Sequence, residues 1–322
     1  MEIKEFTLEE VKTESKVFLT VKESKNINTA SAYRTSFNYF IYYLEHILQV
    51  KTIGTKNIGI VLEGFQGSLL SGFKYNVEGT EKTIKVSGSS TNSHLRRIRT
   101  FLNKCLNLTT ELEPIQIKNK AKYKALPVNE IQLLINECSN KWKKEEIATR
   151  NSCLIRFLFN TAFRVSEALS LTVDNLVNDN GFYYVRVHEK GTAKGSLSDP
   201  IAISESDYNH LQNYIKIKST PSNFVFSTRT GKALSRQYFN NDVKALARYV
   251  DAEHGTNISE VVENNSSHVF RHSKGHALLN EDNINIMKVK KFLRHSSINS
   301  TQIYLEASDK EVDEIRSNNI LV

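Results

Sequence analysis

The sequence has 322 residues, a length that favours two domains over a single large one. An apolar content of 39% is enough for real hydrophobic cores and excludes an intrinsically disordered chain. Lysine and arginine outnumber aspartate and glutamate by 43 to 35, a formal charge of +8. This excess suits a polyanionic partner such as nucleic acid, although an ordinary basic surface would give the same charge.

The cysteines and the N-terminal residues indicate the cellular compartment of the protein. Cys105, Cys138 and Cys153 form no C-x-x-C pair, which argues against a disulfide framework or a zinc ribbon and fits a reducing cytosol. The first residues, MEIKEFTLEEVKTES, are charged and lack the apolar core of a signal peptide. No apolar run approaches the roughly 18 to 20 residues of a membrane span. We therefore expect a cytoplasmic protein with no membrane partner.

Two amphipathic helices dominate the first third of the chain. The segment NTASAYRTSFNYFIYYLEHIL places apolar residues near a 3.6-residue period, and Asn28 or Thr29 can cap its start. After it, KTIGTKNIGIVLEG predicts loops with a short helix, and KVSGSSTN predicts a polar loop. The segment SHLRRIRTFLNKCL then predicts a second helix. The apolar positions of the first helix are Tyr33, Phe37, Phe40, Ile41, Leu44 and Leu48.

Basic residues on these helices are candidates for contact with a DNA backbone. Arginines that project from a helix after a polar loop are suited to phosphate contacts. An amphipathic helix with a solvated basic face has the same pattern, so both interpretations stay open. The candidates are Arg34, Arg96, Arg97, Arg99 and Lys104.

Residues 113–127 predict an extended basic linker. The segment contains Pro114 and Pro127, is rich in lysine and has no hydrophobic period. Lys122 and Lys124 within it are further candidates for DNA contact. We therefore divide the chain into a helical N-terminal domain at 1–112, the linker at 113–127 and a second domain at 128–322. Asn129 can cap the first helix of the second domain.

An arginine marks a break between two helices of the second domain. Arg164 lies between the apolar patterns of EEIATRNSCLIRFLFN and VSEALSL. Burial of its charge is costly without an anionic partner. Glu167 could be that partner in a purely structural pair, or it could hold the guanidinium while the free edge faces a phosphate.

A β-hairpin follows. Tyr183, Val185 and Val187 alternate with polar residues and predict a strand, KGTAKG is a turn, and residues 197–203 predict the return strand. Lys190 and Lys194 lie at or near the tip. Either lysine could be a plain surface charge or a proton donor delivered into a cleft.

The segment from 266 to 306 brings together His268, Arg271, His295 and Tyr304. Ser266 or Ser267 can cap its first helix. His268, His272 and His276 share one helix face, which could bind a metal. The run lacks H-E-x-x-H and any carboxylate, and Lys274 is nearby, so we expect no metal.

These residue types match the needs of phosphodiester chemistry. Positive charge placed where the pentavalent transition state becomes negative is the largest expected contribution. Arg164 and Arg271 can each donate two N–H bonds, and His295 can add a third contact. A phenol such as Tyr304 has a pKa near 10 when unperturbed, so it needs positive charge or a base, and His268 is placed to assist. A phosphotyrosine link would retain the bond energy for rejoining without ATP or metal.

The motifs TAFRVSEALSL, KGTAKG, HVFRHS and FLRHSSINSTQIY, in this order, resemble the tyrosine recombinases, the phage-integrase and Xer-like family. TASAYRTSFNYF and SHLRRIRTFLN resemble the family's N-terminal core-binding domain, so the resemblance covers nearly the whole chain. It implies a mainly α protein with a small antiparallel β-sheet in its C-terminal catalytic domain and a helical, SAM-like core-binding domain.

The resemblance also implies roles and partners. Tyr304 would attack the scissile phosphate and leave a 3′-phosphotyrosine and a free 5′-hydroxyl, with no cofactor. The partner would be double-stranded DNA with inverted-repeat core sites. The tail at 308–322 would join protomers into dimers and tetramers on DNA, in the nucleoid of a prokaryote. The residues around the phosphate would be Arg164, Lys190, His268, Arg271 and His295.

The sequence departs from the family pattern after the hairpin turn, where GSLSDP replaces basic residues and Val-Pro. The choice between Lys190 and Lys194 as the acid therefore stays open. A site-specific recombinase that serves a mobile element or resolves DNA multimers is the leading hypothesis. A type IB topoisomerase-like enzyme and a catalytically inactive DNA-binding relative are the alternatives.

Overall fold

A computed structural model describes residues 3–77, 79–116, 124–187, 197–295, 297–302 and 304. The chain forms two compact units, Met1–Ala121 and Lys122–Val322, which are described separately. Both units are mainly helical with small antiparallel sheets, and each has a hydrophobic core of its own. The predicted fold class is confirmed, with strands in the first unit as an addition.

The first unit is a helical bundle with two short antiparallel sheets, β1 with β2 and β3 with β4. A π-helical turn at Tyr43–Ile47 continues its second helix. In chain order, its elements are β1 (Glu5–Thr7), α1 (Leu8–Lys25), α2 (Ile27–Tyr42), β2 (Thr52–Gly54), α3 (Ile58–Ser71), β3 (Phe73–Val77), β4 (Thr80–Ile84) and α4 (Gly88–Leu106).

The predicted apolar face of α2 forms the centre of this unit. Phe37, Phe40 and Leu44 are buried in the core, where Phe37 and Phe101 of α4 make an edge-to-face contact at 4.9 Å. Such aromatic contacts add to the stability gained from burial of the rings. The helix starts earlier than the sequence indicated, because the side chain of Asn26, not Asn28 or Thr29, caps it.

The expectation of loops around residues 51–64 was wrong in part. α3 runs for 14 residues through Gly59 and Gly64. Gly64 lies beneath the Tyr43 hydroxyl, and a Cβ there would lie 2.2 Å from that oxygen. This glycine permits a close approach between elements and does not mark a turn. The hairpin β3–β4 was not predicted, although Phe73, Tyr75 and Val77 alternate with polar residues along β3.

The segment after α4 turns back along this helix. The Asn92 side chain bonds the backbone N–H and C=O of Ile115, both at 2.9 Å. Arg99 donates to the carbonyl oxygens of Thr110 and Leu112 at 2.8 and 3.2 Å. The first residues of the predicted extended linker are therefore fixed to α4.

The second unit is a helical domain with one three-stranded sheet in the order β5–β6–β7. A 3₁₀ turn at Val173–Asn175 leads into the sheet, and a π-helical turn at Ala277–Glu281 follows α12. Its elements are α5 (Val128–Asn136), α6 (Cys138–Lys141), α7 (Glu145–Thr161), α8 (Val165–Leu169), β5 (Leu176–Asp179), β6 (Phe182–Val185), β7 (Ile201–Ala202), α9 (Glu205–Ile217), α10 (Arg236–His254), α11 (Ile258–Asn265), α12 (His268–His276), α13 (Ile286–Phe292) and α14 (Asn299–Gln302).

The predicted hairpin corresponds to β6 and β7, with Val185 paired to Ile201. Val185 and Val187 are buried, as their alternation predicts. β5 pairs with the other edge of β6 and was not predicted. The hairpin tip, residues 188–196, lies outside the described residues.

The helix boundaries of this unit differ slightly from the sequence prediction. α5 begins at Val128 after Pro127, so Asn129 lies inside the helix and does not cap it. α7 ends where Ala162 adopts a left-handed conformation, with φ of 50°. That turn aims residues 162–164 toward α12. In the part of the chain that the structure describes, no helix is both long and apolar enough to cross a membrane.

Candidate active site

Arg164 lies at the N-terminus of α8 and is paired with Glu167. Its guanidinium Nη1 is 2.9 Å from Glu167 Oε1, and its backbone N–H donates to Oε2 at 2.8 Å. Burial by itself raises the pKa of this carboxyl, but Arg294 and Arg164 outweigh burial and hold the pKa below its ordinary value. Glu167 is therefore ionised at neutral pH. About a third of the Arg164 side chain (32%) stays exposed to solvent.

Arg271 is almost completely buried on α12 and contacts two backbone carbonyls. Nη1 donates to Ala162 O at 2.5 Å, and Nη2 donates to Leu293 O. Burial, followed by the charge of Arg164, lowers the pKa of Arg271 to about 10, so it stays protonated at pH 7. The guanidinium of Arg271 thus joins the α7–α8 junction to the turn after α13. It places a positive charge at the centre of the unit.

The hydroxyl of Tyr304 contacts His272. The Oη atom lies 2.8 Å from His272 Nδ1, and only 4% of the tyrosine is exposed. The sequence interpretation had assigned the assisting role to His268. One helical turn separates these two histidines, and the structure places His272 at the phenol. Spacing along a helix cannot tell which turn a distant side chain will meet.

The backbone around Tyr304 is also fixed by α12 and the turn after it. The Asn280 side chain donates to Tyr304 O at 2.9 Å. The ring packs on Gly275, where a Cβ would lie 2.9 Å from Tyr304 Cε2. The absent side chain at 275 is therefore what allows the ring to lie against the helix.

His295 lies beside Tyr304, with nearly parallel rings whose centroids are 6.3 Å apart. Its Nδ1 is 2.9 Å from the hydroxyl of Thr301, which is fully buried. Burial, and then the charges of Arg271 and Arg164, lower the pKa of His295 to about 4. A hydroxyl at Nδ1 can fix the tautomer in which Nε2 carries the proton and is a donor.

The other two histidines of the group are also held neutral. Burial, followed by the charge of His268, lowers the pKa of His272 to about 4. Partial burial of its ring and the charges of Arg236 and Arg271 lower the pKa of His268. The positive charge of the site at pH 7 therefore comes from arginines, and the imidazoles can exchange protons.

Three residues of this site were not identified from the sequence. Arg294 joins Glu167 with Nη2 at 2.6 Å from Oε2, Thr301 orients His295, and His272 contacts the phenol. Arg294 and Thr301 lie within the FLRHSSINSTQIY motif, so the motif itself was the available signal. Their partners are distant in sequence, and local patterns do not show such pairs.

Some predicted residues cannot be placed. Lys190, Lys194 and Lys122 lie outside the described residues, as does the tail at 308–322. Lys124 is described and pairs with Glu260 at 2.5 Å on an exposed surface. The structure therefore places Arg164, His268, Arg271, His295 and Tyr304 in one unit.

The basic residues of the first unit divide into two groups. Arg96 and Lys104 are exposed on α4. Arg97 donates to Ser36 at 3.4 Å, and Arg99 binds the carbonyls of the segment after α4, so both stabilise the unit itself. Arg34 is half exposed and paired with Glu23. Arg34, Arg97 and Arg99 therefore have partners within the unit and, with Arg96 and Lys104, stay candidates for DNA contact.

Two of the histidines on the shared face of α12 contact other side chains. His272 contacts Tyr304, and His276 Nδ1 lies 3.9 Å from Glu281. Over the residues that the structure describes, no group of three or more His, Cys, Asp or Glu side chains could hold a metal ion.

Comparisons with known proteins agree with this arrangement. The model of the phage integrase family matches residues 124–311. The chain is 24% identical to the tyrosine recombinase XerC of Rickettsia prowazekii (strain Madrid E), over 97% of this chain and 96% of that protein. It is 28% identical to the tyrosine recombinase XerD of Halalkalibacterium halodurans, over 60% of each.

Two solved structures share the fold. The XerH recombinase bound to its difH substrate, in a pre-cleavage complex, superposes with a TM-score of 0.63 at 18% identity, over 93% of this chain and 82% of that one. The Tn1549 transposon integrase in complex with a circular intermediate DNA gives a TM-score of 0.70 at 15% identity, over 97% and 98%. The family model covers more than half of the sequence and includes TAFRVSEALSL, KGTAKG, HVFRHS and FLRHSSINSTQIY. The chain belongs to the phage integrase family of tyrosine recombinases.

Proposed function

We propose that this protein is a site-specific DNA recombinase that cleaves and rejoins strands through a 3′-phosphotyrosine intermediate. The observation that carries the proposal is the position of Tyr304, whose hydroxyl lies on His272 beside His295, in the electrostatic field of Arg271. A buried phenol among arginines and neutral imidazoles is suited to attack on a phosphodiester.

The arginines would stabilise the transition state. A guanidinium has five N–H donors. Among the described residues, side-chain bonds to protein use one donor of Arg164 and two of Arg271, which leaves both able to meet non-bridging oxygens. His295 would add its Nε2–H, and His268, exposed at the N-terminus of α12, would line the same phosphate. These contacts strengthen as the phosphorus becomes pentavalent.

The proton transfers follow from the same positions. As Tyr304 Oη forms its bond to phosphorus, the phenol proton passes to a base, and neutral His272 lies within reach at 2.8 Å. The bond from phosphorus to the 5′-oxygen breaks, and that oxygen takes a proton from an acid, for which Lys190 is the proposed donor and Lys194 the alternative. Rejoining reverses both transfers.

The DNA partner would be a duplex with inverted-repeat core sites. Arg96 and Lys104 would meet the backbone from the first unit, because they are exposed on α4. The XerH recombinase bound to its difH substrate and the Tn1549 integrase in complex with a circular intermediate DNA share the fold, which supports a DNA partner for this protein. The role would be service to a mobile element or resolution of DNA multimers in the cytoplasm.

Oligomers on DNA would form through residues 308–322. This segment has the capping-box pair Ser308 and Glu311 and ends in three apolar residues, Ile-Leu-Val. We propose that it binds a neighbouring protomer, in a cyclic exchange within a tetramer. Its deletion should weaken cooperative binding to a two-site DNA and leave binding to a half-site intact. Unchanged cooperativity would count against the exchange.

A nicked suicide site tests the chemistry. The native protein should form a covalent adduct that denaturing electrophoresis resolves, and Tyr304→Phe should form none. An adduct that survives Tyr304→Phe refutes the nucleophile, and no adduct with the native protein favours an inactive relative. Relaxation of supercoiled plasmid without exchange between two sites would favour the topoisomerase-like alternative.

A further inference from the structure

Arg294 lies in the turn between α13 and α14 in an unusual backbone conformation. Its φ is 54°, in the left-handed region that long side chains rarely occupy. A strained backbone persists where the surrounding contacts impose it, and such positions cluster at functional sites. Leu293 on one side accepts a hydrogen bond from Arg271, and His295 on the other side is the neighbour of Tyr304.

The side chain of Arg294 explains why this conformation is kept. The guanidinium carbon lies 4.4 Å from the centre of the Phe163 ring, a cation–π distance. Its Nη2 is 2.6 Å from Glu167 Oε2. Only 19% of the Arg294 side chain and 3% of the Glu167 side chain are exposed, so water screens this ion pair weakly.

One carboxylate thus holds two guanidiniums from distant parts of the chain. Oε1 of Glu167 takes Arg164, and Oε2 takes Arg294 together with the Arg164 backbone N–H. Two positive charges share one negative charge, so the cluster keeps a net positive charge beside the candidate phosphate site. Without Arg294, Glu167 would neutralise Arg164 alone and bind it more tightly.

We propose that Arg294 is a positioning residue that fixes the His295 turn to Arg164 through Glu167 and keeps Arg164 available to a phosphate. The proposal rests on the proposed cleavage reaction. Arg294 acts through its neighbours, because its guanidinium faces Phe163 and Glu167.

Arg294→Gly is the informative variant, because glycine accepts a φ of 54° without strain, so the variant removes the side chain and keeps the turn. Cleavage of the suicide site should slow by about tenfold or more, while DNA affinity changes by less than about threefold. Asn283→Gly is the matched control. Asn283 has a φ of 51° and is exposed to solvent, so cleavage should equal that of the native protein.

The pH profile provides a readout that a purely structural role would not move. With Arg294 removed, the pKa of the Glu167 carboxyl rises toward its ordinary value. As the pH is lowered, the loss of cleavage should therefore begin at a higher pH than in the native protein. In a Glu167→Gln background, Arg294→Gly should have little further effect, because the shared carboxylate is gone. Arg294→Lys, which keeps the charge without the fork, should cleave at an intermediate rate.

The outcomes separate the two proposals. If the native protein forms no adduct, the proposed function fails. If the native protein and Arg294→Gly cleave equally at every pH, or if the losses in Arg294→Gly and Glu167→Gln are fully additive, only the positioning role is overturned. Should Arg294→Gly melt at a much lower temperature, Arg294→Lys replaces it in the comparison with Glu167→Gln. Fully additive losses of cleavage rate in those two variants would then overturn the positioning role.

Discussion

Helices α4 and α12 both carry several basic residues, but the two helices use them differently. On α4, Arg96 and Lys104 face solvent, while Arg99 is tied to backbone carbonyls of its own unit. On α12, Arg271 is buried and its fork joins two other segments of the catalytic unit. A charge on a solvated face contributes to general affinity, whereas a charge held by several distant elements defines a site.

The largest expected effect concerns Arg164, the partly exposed arginine of the catalytic unit. Arg164→Ala should slow adduct formation by roughly a hundredfold or more, the scale found for loss of one transition-state donor. DNA affinity should change only slightly, because one phosphate contact among many is lost. Single-turnover cleavage and a binding titration on the same DNA measure the two. Equal losses in both would make Arg164 an affinity residue.

Gly275 provides the next test, because Tyr304 packs directly on it. In Gly275→Ala, the new methyl group meets the tyrosine ring at 2.9 Å, so the ring must shift away from His272. Unfolding should become easier by about 1 to 3 kcal/mol, the range for overpacked sites, and adduct formation should slow.

The same substitution in a Tyr304→Ala background is the matched control. With the ring absent, the nearest contact left to the alanine methyl group is Leu293 Cδ1, at 3.3 Å, so the substitution should destabilise the protein much less than in the native background. Urea unfolding of the four proteins measures the coupling. If Gly275→Ala has the same effect in both backgrounds, the tyrosine does not rest on this glycine in solution.

Arg96 and Arg99 lie on the same helix, but Arg96 is exposed to solvent and Arg99 binds backbone carbonyls. Substitution of each tests whether the two charges have different roles. Arg96→Ala should weaken DNA binding and reduce the slope of log affinity against log salt by about one, with native stability. Arg99→Ala should lower the free energy of unfolding by about 1 to 2 kcal/mol, because two carbonyls lose a charged donor. The reverse pattern would show that Arg99 is the DNA contact.

The stability of the folded protein should also depend on pH. His272 and His295 have pKa values of about 4 in the folded protein, against an ordinary value of 6.5. Between these values the unfolded chain binds more protons, so the free energy of unfolding should fall as the pH drops from about 6.5 toward 4. His272→Gln should flatten this slope in urea titrations of the DNA-free protein. An unchanged slope would mean that His272 is not held neutral.

The sequence by itself determined the periodic features and the motif residues. The 3.6-residue period identified α2 and α4, the alternation at 183–187 identified β6, and the motifs led to the family. These signals are local, because hydrophobic period and motif spacing follow from which side chains share a face. The start of α5 escaped this reasoning, since the exact end of a helix depends weakly on local pattern.

The tertiary structure alone decided which residues meet. The choice of His272 over His268 at the Tyr304 hydroxyl depends on how α12 packs against residues 293–304. The engagement of Arg99 depends on the path of the chain after α4. The ion pair of Arg294 with Glu167 joins residues that are 127 positions apart in the sequence. Contacts of this kind arise from packing between elements, and no periodicity in the chain encodes them.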